Sequence, residues 1–283
     1  MLRKPAGSGI FYPDNKRDLE DSIKESFLSP LGTGEVPVLK CDNYQGEYPF
    51  NIFVPHAGFQ YSAPAASFGY SKIVEEGFPE TFIILSPNHT GFGEEISVFN
   101  EGEWITPLGN VHVDAEFADA IIENSDTASS DYFAHLREHS IEVQLPILQF
   151  FSNNFKIVPI TIGLQSPENA VDLAKSIVES ASKLGKSYCV IASTDFSHFN
   201  NQSLANELDG LLLEDIKQMD EEKLFEDVYS FDISMCGYGV VATTILVSKL
   251  TGKNQSEVFT YYTSGDVSHD FSKVVGYASG IFK

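Results

Sequence analysis

The stretch that decides the fold is TFIILSPNHTG, Thr81 to Gly91. Its apolar run, Phe82 to Leu85, has no polar face, which predicts an interior strand of a parallel sheet that helices cover on both sides. The run ends at Pro87, and His89 follows just beyond it. Because ligand sites in such sheets lie past the carboxyl ends of the strands, His89 is a candidate functional residue.

The same arrangement occurs at two other places in the chain. NIFVPHAG, Asn51 to Gly58, is a short apolar strand that ends at a proline followed by His56. YCVIASTDFSH, Tyr188 to His198, is another apolar strand that ends in a polar cluster containing Asp195 and His198. If the three strands are parallel neighbours, their terminal side chains converge at one edge of the sheet.

Strand and helix patterns alternate through most of the 283 residues. This alternation predicts an α/β fold with a central, largely parallel or mixed sheet flanked by helices. We treat residues 1–283 as a single domain, because too little chain precedes the Gly/Pro-rich segment 29–37 to form a domain of its own. Ile96 to Ile105 surrounds an Asn-Glu-Gly turn, which predicts a β-hairpin.

The composition argues against several classes of partner. Forty acidic and 18 basic residues give a net charge of −22, which repels phosphate backbones and argues against nucleic acid. The longest apolar runs are about four residues, far below the roughly 20 that a membrane span needs, so we expect no membrane partner. No GxGxxG, Walker or GxSxG motif occurs, so we expect neither a nucleotide cofactor nor a serine nucleophile.

Cysteine usage and the N-terminus bear on the cellular compartment. The three cysteines, Cys41, Cys189 and Cys236, cannot form a full disulfide framework, and a reducing environment suits them better. MLRKPAGSGIFYP has no apolar segment after its basic residues, so we expect no secretory signal. Both observations indicate a cytoplasmic protein.

The strand-end histidines and one cysteine are candidate metal ligands. Neutral imidazole is the commonest protein ligand for Zn, Cu, Fe and Ni, so His56 and His89 can form one face of a coordination sphere. Cys236 lies in a glycine-flanked loop just before a predicted helix, whose dipole would favour the thiolate. Alternatively, His56 and His89 are ordinary loop residues. Cys236 is then a small buried hydrophobic residue, the role that suits Cys189.

Other polar side chains are candidates for proton transfer or for orienting a ligand. Asp195 and His198 can act as a catalytic acid–base pair, or Asp195 can simply cap a turn. His139 and Glu142 lie three apart and can hydrogen-bond a ligand histidine from behind. The remaining histidines are assigned no chemical role: His112, His135 and His269.

Five separated motifs resemble those of a known family. They are VPHAGFQYSAPAA (54–66), ILSPNHTG (84–91), EHSIEVQLPILQ (138–149), STDFSHF (193–199) and MCGYG (235–239). They occur in this order in the MEMO family, proteins resembling the human mediator of ErbB2-driven cell motility. Archaeal and bacterial members are often described as component B of the AmmeMemoRadiSam system. The resemblance runs from about Pro5 to the C-terminus.

The resemblance implies a fold similar to class III extradiol, LigB-type, non-haem iron dioxygenases. Matched motif by motif, the family's pocket histidines correspond to His56 and His89, and its cysteine to Cys236. Its aspartate and further histidine correspond to Asp195 and His198. LigB-type enzymes use two histidines and a glutamate, where this sequence has a cysteine. Family members are described as binding copper or iron with redox activity, and a radical-SAM partner protein is implied for the microbial members.

Three functions remain open from the sequence. The first is a redox protein in which His56, His89 and Cys236 hold Fe(II) or Cu, Zn being less expected. The second is a module that binds a peptide or a small metabolite in the same pocket without metal. The third is a metal-dependent hydrolase in which Asp195 acts as a base on metal-bound water. The sequence names no substrate.

Overall fold

The computed structural model describes every residue from Met1 to Lys283. The strands are β1 (Leu2–Arg3), β2 (Asn51–Val54), β3 (Thr81–Pro87), β4 (Ile96–Val98), β5 (Glu103–Thr106), β6 (Gly109–Val113), β7 (Ala128–Ser130), β8 (Lys156–Ile162), β9 (Tyr188–Ser193), β10 (His198–Asn200), β11 (Ser256–Thr263) and β12 (Val274–Phe282). The helices are α1 (Lys16–Leu28), α2 (Phe59–Glu76), α3 (Ala115–Asn124), α4 (Leu145–Phe151), α5 (Pro167–Leu184), α6 (Gln202–Gln218), α7 (Glu221–Phe231), α8 (Tyr238–Leu250) and α9 (Ser264–Ser268). None of the helices is both long and apolar enough to cross a membrane.

The strands form one mixed sheet with a parallel centre. Its order is β1-β5-β6-β8-β3-β9-β2-β12-β10, with β11 paired to β12 and β4 paired to β7 and β8. The five neighbours β6, β8, β3, β9 and β2 all run parallel, and β12 returns antiparallel beside β2. The predicted α/β architecture, a largely parallel sheet within a mixed one, is confirmed.

Both faces of the sheet are covered by helices. Alternate residues of β3 point to opposite sides: Ile83 and Leu85 enter a core of 36 buried residues, while Phe82 and Ile84 enter a second core of 31. The first core also contains side chains from α3, α5, α6, α7 and α8, and the second contains side chains from α1, α2 and α4. Since the two cores are of similar size, β3 is buried on both sides, as its unbroken apolar run predicts.

The strand register brings three candidate residues to one edge. Val54 of β2 is paired with Ser193 of β9, and β9 pairs in parallel with β3. His56, His89 and Asp195 each lie two residues past the end of β2, β3 and β9 respectively. Their side chains therefore start from the same carboxyl edge of three adjacent strands.

The prediction of a β-hairpin across residues 96–105 is wrong. β4 pairs antiparallel with β8 and parallel with β7, whereas the hairpin joins β5 to β6. The reason is the N-terminus, because β1 pairs in parallel with β5 and the Glu103 amide donates to the Met1 carbonyl at 2.9 Å. Gly102, at a φ of +99°, lets the chain turn where the Met1 backbone leaves no room for a side chain.

Candidate metal centre

Three imidazoles meet beyond the carboxyl edge of the sheet. One ring nitrogen from each of His56, His89 and His139 lies within 4.8 Å of the others. The ring centroids of His56 and His89 are 5.2 Å apart, and His139 lies 5.6 Å from the first and 5.1 Å from the second. We call these three residues the histidine group. The sequence predicts that His56 and His89 converge, and the structure shows this. It also places His139 in the group and not behind the ligands, the position that the sequence predicts for it.

His56 is buried and held in one tautomer. Its backbone amide donates to Oδ1 of Asp195 at 2.8 Å, and its Nδ1 lies 2.9 Å from Oγ of Ser193. The Ser193 hydroxyl donates its own hydrogen to the carbonyl of Ser140 at 2.7 Å, so Nδ1 of His56 is the donor and Nε2 carries the lone pair. Burial, with the neighbouring imidazoles of the histidine group, lowers the pKa of His56 well below its ordinary value.

His89 is held by a carboxylate that the sequence analysis missed. Its backbone amide donates to Oε2 of Glu138 at 2.7 Å, and its Nδ1 pairs with Oε1 at 3.0 Å, which leaves Nε2 free. Burial by itself would lower the pKa of His89, but the hydrogen bond and charge of Glu138 outweigh it and raise that pKa. Burial would also raise the pKa of Glu138, yet His89 holds it well below its usual range. The sequence signals for Glu138 are its position next to His139 and its place at the start of the motif EHSIEVQLPILQ.

His139 is held mainly by an aromatic ring. The ring of Phe11 stacks on it with centroids 3.9 Å apart and planes 17° from parallel. Its Nδ1 lies 3.5 Å from Oε1 of Glu138. Burial is the main cause that lowers the pKa of His139 to about 4, so the ring is neutral and able to bind a metal near neutral pH.

Glu142 does not support the histidine group in the way the sequence predicted. Its buried carboxylate forms an ion pair with Arg3 and accepts hydrogen bonds from the Gly7 amide at 2.8 Å and the Tyr12 hydroxyl at 2.5 Å. Glu142 begins a 3₁₀ turn whereas His139 precedes that turn, so the two side chains do not share a helical face. The glutamate whose carboxylate contacts the histidine rings is therefore Glu138.

The thiol of Cys236 adjoins the histidine group. Its Sγ lies 3.3 Å from Nε2 of His56 and 3.2 Å from the backbone nitrogen of Asp195, which donates to it. The next residue, Gly237, donates its amide to Oγ1 of Thr194 at 3.0 Å and so fixes the loop before α8. Burial, followed by the charge of Asp195, raises the pKa of Cys236. Burial thus opposes the effect that the helix dipole was predicted to have on the thiol.

Asp195 and His198 lie beside the histidine group without bonding each other. Asp195 is buried, and burial raises its pKa although the amides of His56 and Ala57 oppose that rise. His198 is half-buried, and its Nδ1 donates to the carbonyl of Ser234 at 2.9 Å, which leaves Nε2 as an acceptor. The loop that ends at Cys236 thus also orients His198.

The other histidines and Cys189 lie outside the group. His112 is exposed next to Glu103, His135 is buried and bonded to the Ser97 carbonyl, and His269 ends α9. Cys189 is fully buried within β9 and belongs to the second core.

A roomy cavity lies at the opposite edge of the sheet. It measures about 680 Å³ and is lined by Tyr44, Tyr48 and Tyr188, with none of the pocket histidines in its wall. Its volume is within the range of ligand sites. The convergence of titratable groups with shifted pKa values selects the histidine group instead.

The fold and the site together define a class of protein: a single-domain α/β protein with a group of three histidines at the carboxyl edge of its sheet. The family model described as "Memo-like protein" matches residues 3–281. The chain belongs to this family.

Relatives from several organisms match over the full length. A protein of Methanobrevibacter smithii, described as a MEMO1 family protein, is 58% identical over 100% of both chains. Others from Methanothermobacter thermautotrophicus and Ignicoccus hospitalis are 39% and 42% identical over at least 98% of each chain. The crystal structure of an uncharacterized protein from Escherichia coli K12 shares the fold, with a TM-score of 0.56 and 10% identity over 83% of this chain and 100% of that one.

Proposed function

We propose that the protein is a metal-dependent redox protein whose histidine group binds Fe(II) or Cu. The observation that carries the proposal is the spacing of the three imidazole nitrogens of His56, His89 and His139, all within 4.8 Å. Neutral imidazoles are the donors that these metals prefer in proteins. The nearby thiol of Cys236 supports the copper option, because a soft thiolate suits Cu(I).

The residues around the pocket prepare these donors to bind. Ser193 and Glu138 each accept a hydrogen bond from Nδ1 of one histidine, and so leave Nε2 of His56 and of His89 with a lone pair. The Cys236 thiol carries a proton that it shares with His56, and binding through sulfur would release that proton. These contacts support binding of an iron or copper ion by the histidine group.

Asp195 and His198 are the groups that we assign to proton transfer. When bound, the metal would supply one-electron redox chemistry. The buried Asp195 carboxyl, whose pKa is raised, can hold a proton beside the backbone of His56. Nε2 of His198 is free to accept a proton from a ligand at the rim of the pocket. The family resemblance implies a LigB-like fold, but Cys236 stands where LigB-type enzymes have a glutamate, so ring cleavage is not part of this proposal.

The direct test is metal uptake under anaerobic conditions. We expect wild-type protein titrated with Fe(II) or Cu(I) to bind one ion per chain, and His89→Ala or Cys236→Ser to lose most of that affinity. His112→Ala, at an exposed histidine outside the group, is the matched control and should bind like wild type. A wild-type protein that takes up neither metal would show the proposal to be wrong.

A metal-dependent hydrolase is the second candidate. The observation that favours it is the third histidine, since three histidine ligands with an open position are a common set in catalytic zinc sites. Asp195 would then act as the base on a metal-bound water. Metal analysis of protein purified without added metal distinguishes the two, because stoichiometric zinc supports hydrolysis and iron or copper supports redox chemistry.

A binding module without metal is the third candidate. The contact between Cys236 and His56 favours it, because the thiol and the imidazole form a hydrogen bond with each other and have a partner without a metal. Such a module would bind a small metabolite or a peptide in the same pocket. Calorimetry on chelator-treated protein distinguishes this candidate from the two metal-dependent ones. A binding module keeps its affinity for its ligand after chelation.

We also propose the surroundings in which the protein works. All three cysteines are free, which supports a reducing, cytoplasmic location. The net charge of −22 argues against nucleic acid and anionic membrane surfaces as partners. A small molecule or peptide is the ligand that a pocket of this kind suits, and a radical-SAM partner protein is suggested by the family resemblance alone.

A further inference from the structure

The N-terminal segment Leu2–Tyr12, which we call the strap, lies against the loop that carries Glu138 and His139. Arg3 is fully buried, and its Nε donates to the His135 carbonyl at 3.0 Å. Its Nη2 donates to the Glu138 carbonyl at 2.5 Å, and its Nη1 forms the ion pair with Glu142. One guanidinium thus holds both ends of the loop 135–142.

The far end of the strap reaches the histidine group itself. The Phe11 ring stacks on His139 at 3.9 Å, and the His139 ring is also close to parallel with His89, at 5.1 Å and 28°. The Phe11 amide donates to the Gly7 carbonyl at 2.8 Å, and the Phe11 carbonyl accepts from the Phe59 amide at 2.8 Å. The backbone of Phe11 is therefore held by hydrogen bonds that do not involve His139.

His139 lacks the hydrogen bond that normally orients a ligand histidine. Such residues usually donate the second ring nitrogen to a carboxylate or carbonyl, as His89 donates to Glu138 at 3.0 Å. The corresponding nitrogen of His139 is 3.5 Å from the same carboxylate, which is too long for a good hydrogen bond. Of the two rings that lie nearly parallel to His139, Phe11 is closer than His89 and more nearly parallel, so its contact is the main interaction that sets the plane of this ring.

We propose that Phe11 is the positioning residue for His139, so that the strap is part of the metal centre. This inference rests on the proposed metal-binding function. Stacked aromatic pairs contribute beyond the area that they bury, and they restrict ring rotation. A strap supplied from the start of the chain would then make the third ligand available only when the N-terminus is docked.

The experiment replaces Phe11 with leucine, which keeps an apolar side chain but removes the flat ring. We expect Phe11→Leu to weaken Fe(II) or Cu(I) binding about 10-fold by anaerobic calorimetry, the low end of the effect of losing a group that orients a ligand. Phe11→Tyr should restore affinity close to wild type. Ile10→Ala, at an exposed neighbour on the strap, is the control and should leave affinity unchanged.

A second measurement on the same variants needs no metal. In protein with ¹³C-labelled histidine, we expect the His139 ring protons to be shifted upfield by Phe11 in wild type and in Ile10→Ala. Phe11→Leu should lose that shift. Wild-type protein that fails to bind metal refutes the proposed function but leaves this measurement intact. An unchanged His139 resonance, or unchanged affinity, in a folded Phe11→Leu variant overturns the role of Phe11.

Discussion

Each pocket histidine is held by a different kind of neighbour, and this sets its protonation. His56 donates to a serine hydroxyl, His89 to the carboxylate of Glu138, and His139 stacks on Phe11. The pKa of His56 and that of His139 are lowered chiefly by burial, whereas Glu138 raises that of His89. Protons therefore compete with a metal most strongly at His89 as the pH falls.

The role of Glu138 can be tested by removing its charge alone. We expect Glu138→Gln to weaken metal binding between about 10-fold and 100-fold, because an amide is a poorer acceptor for Nδ1 of His89. The same change should lower the pKa of His89, which histidine-selective NMR measures directly. Glu101→Gln, at an exposed glutamate, is the control. If the metal affinity is unchanged although the pKa of His89 falls, the charge of Glu138 is not needed for metal binding.

At the scale of elements, the loop before α8 and the end of β9 are packed closely together. A Cβ added at Gly237 would lie 2.7 Å from both Cβ and Oγ1 of Thr194 and 3.1 Å from the Ser193 carbonyl. These atoms belong to the backbone or to a short side chain, so moving them would cost free energy. The glycine is thus required by close approach, and it keeps Cys236 next to His56.

Gly237→Ala should therefore disturb both the fold and the pocket. We expect a loss of about 1 to 3 kcal/mol in the free energy of unfolding, measured in urea, from overpacking. Gly210→Ala is the matched control, since nothing lies within 4 Å of that position in α6. Alanine there should stabilise the helix by about 0.5 to 1 kcal/mol. Equal effects at the two glycines would contradict the packing argument.

The contact between α6 and α7 contains a pair of buried acids. Burial, followed by the charge of Asp227, raises the pKa of Asp215 from its ordinary 3.8 to about 6. Because the folded state binds this proton more tightly than the unfolded state, the stabilising contribution is complete below pH 3.8 and is lost as the pH rises through 6. Charged Asp215 therefore destabilises the contact at neutral pH.

Asp215→Asn should remove this pH dependence. We expect the variant to gain on the order of 1 kcal/mol of stability relative to wild type between pH 4 and pH 8, a value reduced for solvent screening. Urea unfolding at a series of pH values measures the difference. Glu214→Gln, on the exposed side of the same helix, should follow wild type throughout. A constant difference between Asp215→Asn and wild type would show that the acid pair does not titrate in this range.

At the scale of the whole molecule, the sheet joins distant parts of the chain at one pocket. His56 and Cys236 are 180 positions apart, yet Nε2 and Sγ are 3.3 Å apart. The pocket draws on β2, β3, β9, the loop before α8, the loop before α4 and the strap. A ligand that bridges these segments should therefore stabilise the fold as a unit.

Metal binding should raise the unfolding temperature of the whole protein. At about 100 times the dissociation constant, a ligand of the folded state adds about 2.7 kcal/mol, or roughly 4 to 5 °C for a chain of this length. Differential scanning calorimetry with and without Fe(II) or Cu(I) measures the shift. His89→Ala should show little of it. An equal shift in that variant would mean that the metal binds elsewhere.

Much of the site was predictable because strand ends carry a local signal. An apolar run that stops at a proline and a histidine identifies His56 and His89 without any knowledge of the fold. Glu138 and Phe11 carry no such signal, since they lie in irregular segments without periodicity. The hairpin prediction failed for a different reason: β5 pairs with the distant β1 on one side and with β6 on the other, so it does not pair with β4.

The sequence by itself determined the alternation of strands and helices, the burial of β3 on both faces and the residues presented at the strand ends. These features follow from hydrophobic pattern and turn chemistry, which act over a few residues. Only the tertiary structure decided that His139 joins His56 and His89, that Glu138 and not Glu142 contacts the group, and that the strap covers it. Those contacts depend on strand order and on the docking of the N-terminus, which are properties of long-range packing.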